Sequence, residues 1–142
     1  MIELSIDRRH RIVVVRFVDS IDPGDFATID RALRDLPDAA SLRCIVDLGG
    51  VTDPGIRSPD LVERAKRRPV LATPYKVFVA PTEISFGISR QFATHRGLAG
   101  LPGLRIVRSF EAALQRFDVA DARFEPLSVP DPQNTMDSAG IS

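Results

Sequence analysis

A turn-rich loop follows an apolar run in the first half of the chain, and its residue types favour a binding site. Residues 44–48 form the apolar run, residues 49–55 form the loop, and Ser58-Pro59 is typical of a helix start. In open α/β sheets, loops that follow buried strands carry binding sites. We therefore predict partner contacts at Asp53, Gly55, Arg57, Ser58 and Asp60.

The glycines of this loop do not match a nucleotide-binding motif. Gly49, Gly50 and Gly55 fit neither the G-x-G-x-x-G spacing nor the P-loop spacing, and no lysine follows where a P-loop requires one. We interpret these glycines as turn residues that need a positive φ.

The serine, histidine and cysteine residues form no catalytic or metal-binding pattern. Ser89 and His95 are six positions apart, which places them on separate faces of a helix. The two histidines and the single cysteine lack metal-ligand spacing, and no neighbouring residue supports a carboxylate pair of Asp47 and Asp53. We predict no catalytic residue, no metal and no cofactor, and an enzyme is the third-ranked hypothesis.

Composition restricts the class of protein further. The chain has 142 residues, with 19 Lys+Arg against 19 Asp+Glu, so its formal net charge is zero and disfavours nucleic acid as the main partner. No apolar run approaches about 18 residues, and no basic region precedes an apolar stretch at the N-terminus. We predict a cytoplasmic protein without a membrane segment, in which Cys44 is a buried, inert thiol.

The hydrophobic pattern predicts an α/β fold. Strands are predicted at residues 2–6, 12–18, 44–48, 75–80 and 104–107, and helices are predicted to begin at Asp22, Ser58, Thr82 and Ser109. The order ββαβαβαβα implies a single five-stranded mixed sheet that is parallel except for the first strand, with four main helices. Residues 1–117 form the predicted domain, and residues 118–142, with Pro126, Pro130 and Pro132, form a predicted proline-rich tail.

The four predicted helix starts share one consequence of the parallel strands. Because parallel strands end at the same edge of a sheet, the starts at Asp22, Ser58 and Thr82, together with that at Ser109, are predicted to lie along one edge. Helix N-termini present free N–H groups and a positive dipole end, which favour an anion or a phosphorylated side chain. Helix capping alone also explains the four residues.

Three segments resemble a known family. They are Val46-Asp47-Leu48 with Val51-Thr52, then Phe78-Val79-Ala80-Pro81 with residues 86–92, and then residues 107–114. Together they resemble the SpoIIAA-like group of STAS proteins, which are relatives of bacterial anti-sigma-factor antagonists. The resemblance covers about residues 2–117 and omits the tail.

The resemblance implies a non-enzymatic domain that binds another protein and is switched by phosphorylation. In anti-sigma antagonists, the switch is a Ser or Thr at the start of the helix that follows the third strand. Ser58 is the hydroxyl at the matching place in this sequence. The implied partner is an anti-sigma factor or a kinase-like regulator, and a homo-oligomer is left open.

A second hypothesis comes from another functional class. An apolar pocket between the sheet and the helices would make the protein a small-molecule or lipid binder, and Phe78, Phe86 and Phe92 are the candidate lining residues. These aromatic side chains could equally fill the core.

Overall fold

Strands and helices alternate along the part of the chain that the computed structural model describes, residues 1–37, 39–68 and 76–128. The strands are β1 Ile2–Asp7, β2 Ile12–Asp19, β3 Arg43–Val51, β4 Lys76–Val79, β5 Arg105–Val107 and β6 Glu125–Leu127. The helices are α1 Pro23–Arg34, α2 Ser58–Lys66, α3 Glu83–Leu98 and α4 Phe110–Arg116. The predicted α/β class, the order ββαβαβαβα and the four main helices are confirmed.

The sheet has six strands in the order β5-β4-β3-β2-β1-β6, so the prediction of five strands is wrong. Strands β2 to β5 are parallel, and β1 is antiparallel to β2, as predicted. The extra strand β6 lies in the segment predicted as a tail and pairs antiparallel with β1. It has three residues, of which two are exposed, so no hydrophobic period marks it in the sequence. Pro130 and Pro132 lie outside the described residues.

Each crossover from β2 to β5 moves to the next strand in the same direction, so α1, α2 and α3 pack on one face of the sheet. Their core contains Leu33, Leu61 and Phe92 against strand residues such as Val15 and Leu48. Helix α4 covers the opposite face, where its apolar residues form a second core with strand residues and with the segment that precedes β6. That second core includes Val14, Ile45, Val77, Ala113, Phe117 and Val119.

Three of the four predicted helix caps are confirmed. The side chains of Asp22, Thr82 and Ser109 accept hydrogen bonds from backbone N–H groups in the first turns of α1, α3 and α4. The prediction that Ser58 caps α2 is wrong, because Arg57 occupies the cap position and makes no side-chain capping bond. Ser58 is instead the first helical residue, and proline follows it within the first turn.

Helix α3 buries two serines and an arginine as well as an aromatic residue. Its buried residues are Ser85, Ser89, Phe92 and Arg96, whereas Ile84 is 46% exposed. The small serine side chains face the sheet in place of the larger isoleucine. The sequence pattern misses this stripe because hydrophobicity alone does not mark a buried serine.

Gly49 and Gly50 belong to β3, which extends past the predicted end at residue 48. Neither glycine has a positive φ, so the turn interpretation is wrong for both; Gly55 has φ +64° and fits it. A Cβ atom on Gly50 would lie 3.1 Å from the carbonyl oxygen of Phe17, next to the register shift between β2 and β3. Glycine is therefore needed at Gly50 for the close approach of two strands.

The carboxylate of Asp7 connects the β1–β2 turn to the segment that precedes β6. It accepts hydrogen bonds from the backbone N–H groups of His10 and Arg123, each at 2.9 Å, and contacts the His10 ring nitrogen at 2.8 Å. Burial alone raises the pKa of this carboxyl, but these hydrogen bonds outweigh burial and lower the pKa to about 2.

We expect Asp7→Asn to lower the free energy of unfolding at neutral pH by about 2 kcal/mol, since a buried hydrogen-bonded charge is lost. The ordinary pKa of this carboxyl is 3.8, so its contribution is complete above that pH and disappears as the pH falls towards 2. The free energy of unfolding should be measured with urea for both proteins at a series of decreasing pH values. As the pH falls, it should decrease less in the variant than in the unsubstituted protein. Asp118→Asn, at an exposed position, is the control. Equal stability of Asp7→Asn and the unsubstituted protein at neutral pH would contradict this role.

Candidate functional site

A cavity of about 90 Å³ lies between the sheet and the layer formed by α1, α2 and α3. Its apolar wall includes Val15, Val46, Leu48, Phe78, Ile88 and Phe92. The space exceeds several-fold the roughly 10–15 Å³ that a cavity needs in order to hold one water molecule. The cavity is thus larger than the voids that close packing normally leaves in a core.

Val46 shows that this space reaches the sheet itself. It lies within β3 and pairs with Val15 on one side and with Phe78 on the other. Both neighbours are buried, whereas Val46 keeps intermediate exposure. Because the middle of an inner strand is normally covered by helices, the exposure of Val46 indicates that the helices do not close over this point.

One end of the cavity is strongly basic. Arg64, Arg67, Arg68, Lys76 and Arg96 line it together with a single carboxylate, that of Asp30. The topology explains this grouping. Helices α2 and α3 end at the edge of the sheet where the parallel strands begin, and β4 begins there with Lys76. Arg67 and Arg68 are exposed, so this end of the cavity lies at the protein surface.

The basic side chains at this end differ in their partners. Arg64 forms a two-pronged ion pair with Asp30, with N–O distances of 2.7 and 2.6 Å. Arg67 pairs with Glu63 at 2.9 Å on the exposed side of α2. Arg96 is buried and donates from Nε to the carbonyl oxygen of Pro102 at 3.1 Å.

Lys76 makes no ion pair with any residue of the described ranges. Burial lowers the pKa of its ammonium group most; Cys44 and Asp30 act in the opposite direction, while the positive charges of Arg96 and Arg64 lower it further. Burial likewise lowers the pKa of Arg96, with a contribution from Arg64. A partly buried, uncompensated cation is costly for a folded protein and favours an added anion.

Cys44 lies in the cavity wall beside Lys76, its partner in the register of β3 and β4. Its thiol is buried, as predicted, and burial raises its pKa, which disfavours the reactive thiolate.

Two of the three predicted pocket residues line the cavity. The rings of Phe78 and Phe92 stack with their centroids 5.3 Å apart in its wall. Phe86 is half-buried outside the cavity, and the Arg108 guanidinium lies 4.5 Å from its ring centroid. The position of Phe86 off the buried stripe of α3 explains this difference.

The predicted partner-binding residues lie together at the opposite edge of the sheet, where the parallel strands end and all four helices begin. Asp53, Gly55, Arg57 and Ser58 are exposed, and Asp60 is half-buried. Hydrogen bonds to the β2–α1 connection hold their loop in place, from Ile21 N to Pro54 O and from Thr52 N to Asp19 O, each at 2.9 Å. The loop is therefore presented at the surface by a fixed backbone.

A second depression, of about 550 Å³, lies on the other face of the sheet near Arg16, Phe110 and Phe124. Its wall also contains exposed residues of the sheet edge, such as Glu3. The one arginine in it is already paired with Asp47 at 3.0 Å. This depression is therefore more open than the cavity beneath the helices, and its arginine already has a partner.

The sequence analysis did not group the basic residues. Arg67 and Arg68 follow the end of α2, Lys76 lies in the next strand, and Arg96 lies in the last turn of α3. The available signal was their topology, since the ends of α2 and α3 and the beginning of β4 must share one edge of a parallel sheet.

Comparisons with protein-family models and with curated proteins find no match to this chain. Across residues 1–37, 39–68 and 76–128, no helix is long and apolar enough to span a membrane. The same ranges contain no group of three or more His, Cys, Asp or Glu side chains that could hold a metal ion.

We expect Lys76→Met to raise the free energy of unfolding of the unliganded protein by about 1 kcal/mol, because a buried, unpaired charge is replaced by an apolar chain of similar length. Lys66→Met, at an exposed position of α2, should change stability little. Chemical denaturation of the three proteins measures the effect. A less stable Lys76→Met variant would show that the ammonium is well compensated in the folded state.

Proposed function

We propose that the protein is a binding domain for a small apolar or amphiphilic ligand, which enters the cavity between the sheet and helices α1 to α3. The observation that supports this proposal most strongly is the exposure of Val46 within an inner strand. Ligand sites are typically concave and mostly apolar, with a few polar groups at defined positions. The stacked pair Phe78 and Phe92 and the basic end of the cavity match that description.

We propose a non-enzymatic, cytoplasmic role for this domain. Most of the charged side chains that line the cavity are basic, and burial raises the pKa of its thiol, Cys44. The raised pKa disfavours nucleophilic catalysis by this thiol.

Octan-1-ol is a suitable neutral probe of the cavity. Titration of ¹⁵N-labelled protein should shift the amide resonances of Val46, Phe78 and Ile88, which line the cavity. Val46→Phe should abolish these shifts, since the larger ring fills the space. Val62→Phe is the matched control, because Val62 is half-buried but does not line the cavity. Equal binding by Val46→Phe and the unsubstituted protein, or no binding by either, would refute the proposal.

A second candidate function is that of a STAS-like protein-interaction module switched at Ser58, with an anti-sigma factor or a kinase-like regulator as partner. The exposure of Ser58 beside Arg57 in the first turn of α2 favours it. Phosphorylation would add about −1.5 to −2 charges there, next to the free N–H groups of the helix start. The surrounding surface would comprise Asp53, Gly55 and Asp60.

Substitution of Ser58 tests the switch. A partner captured from source cells by the unsubstituted protein should also bind Ser58→Ala and should be lost with Ser58→Asp, because the added charge mimics phosphorylation. Thr52→Asp, an exposed change in the same loop, is the control. Mass spectrometry of Ser58 from the same cells would show the modification directly. If both Ser58 variants retain the partner equally, the switch is refuted.

A further inference from the structure

The charge around the cavity is uneven although the chain as a whole is neutral. Among the described residues, five basic side chains and one acidic side chain line the cavity, against a formal net charge of zero for all 142 residues. The basic residues gather at the surface end, whereas the inner end is formed by buried apolar side chains such as Phe17 and Leu48. The cavity therefore has a positive entrance and an apolar interior.

Helix dipoles explain only part of this charge. Arg64 and Arg96 lie in the last turns of α2 and α3, where a positive side chain complements the dipole. Lys76 belongs to a strand and gains no such stabilisation. It is also partly buried, and no ion pair compensates it within the described ranges. Neither a helix dipole nor an ion pair with a described residue therefore accounts for the positive charge of Lys76.

We propose that the cavity binds a single-chain amphiphile with an anionic head group, whose alkyl chain lies along Val46 and Phe78 while the head contacts Lys76 and Arg96. This inference rests on the proposed function and specifies its ligand class. The anion supplies the missing partner of Lys76, and the chain fills the apolar space.

The dimensions of the cavity set the size of the ligand. The wall runs along β3 from Cys44, beside Lys76, to Leu48, a distance of about 13 Å for four strand residues. An extended medium-length chain fits along this path with its head at the basic end.

Four compounds separate the contributions of chain and charge. Octanoate and octyl phosphate carry both, octan-1-ol carries the chain alone, and inorganic phosphate carries the charge alone. Calorimetric titration at low ionic strength should give octanoate and octyl phosphate at least tenfold higher affinity than octan-1-ol, because only the anions form an ion pair with Lys76. Inorganic phosphate should bind more weakly than either anionic amphiphile. The ratio between octanoate and octyl phosphate identifies the preferred head group.

The variant Lys76→Met tests the residue that carries the inference. It should reduce octanoate affinity at least tenfold and leave octan-1-ol affinity unchanged, whereas Lys66→Met should alter neither. Circular dichroism confirms that each variant is folded. If Lys76→Met fails to fold, Lys76→Gln replaces it with the same expectation.

The outcomes distinguish this inference from the proposed function on which it rests. Equal affinity for octan-1-ol and octanoate would overturn the anionic head group while leaving a ligand-binding cavity. Equal affinity for inorganic phosphate and octanoate would overturn the role of the chain. The absence of binding by all the chain-bearing compounds would overturn both proposals.

Discussion

Parallel pairing of β3 between β2 and β4 is the constraint on which the rest of the structure depends. Since the next crossover continues in the same direction to β5, helices α1, α2 and α3 must share one face of the sheet. All four helices begin at the edge where the parallel strands end, and the helices of the shared layer end at the other edge. The fold thereby creates two distinct surfaces, an edge of helix beginnings and an edge of helix ends.

These two edges have different chemical character. The helix beginnings at α1 and α3 carry capping residues, and Ser58, the first residue of α2, follows a loop whose backbone is fixed. The helix ends carry arginines, as helix dipoles favour, and they surround the entrance of an apolar cavity. Parallel α/β sheets commonly bind ligands at the edge of helix beginnings. In this molecule, the cavity lined by Lys76 and Arg96 opens at the opposite edge, where α2 and α3 end.

Much of the fold was predictable because it follows from strong periodic signals. The alternation of Ile2, Leu4 and Ile6, and the cap of α1 at Asp22, identified a strand and a helix correctly. β6 was not predictable, because its three residues pair with the sheet edge through backbone hydrogen bonds rather than through an apolar pattern. The buried serine stripe of α3 escaped prediction for a related reason, since Ser85 and Ser89 pack by size rather than hydrophobicity.

The candidate site was predictable only in part. Phe78 and Phe92 were predicted as pocket candidates, and their rings do meet where α3 packs on the sheet. Lys76 and Arg96 were not, because twenty residues separate them and only the tertiary structure places both at one cavity. Burial and the neighbouring positive charges lower the pKa values of Lys76 and Arg96. Neither effect can be read from the sequence alone.

The most direct test of the central claim is the measurement of intermolecular nuclear Overhauser effects between octanoate and methyl-labelled protein. The account predicts contacts from the alkyl chain to the methyl groups of Val46 and Ile88, which line the cavity, and none to Val14, which is buried in the core on the other face of the sheet. Contacts confined to exposed methyl groups, such as those of Ile84 and Leu98, would contradict it.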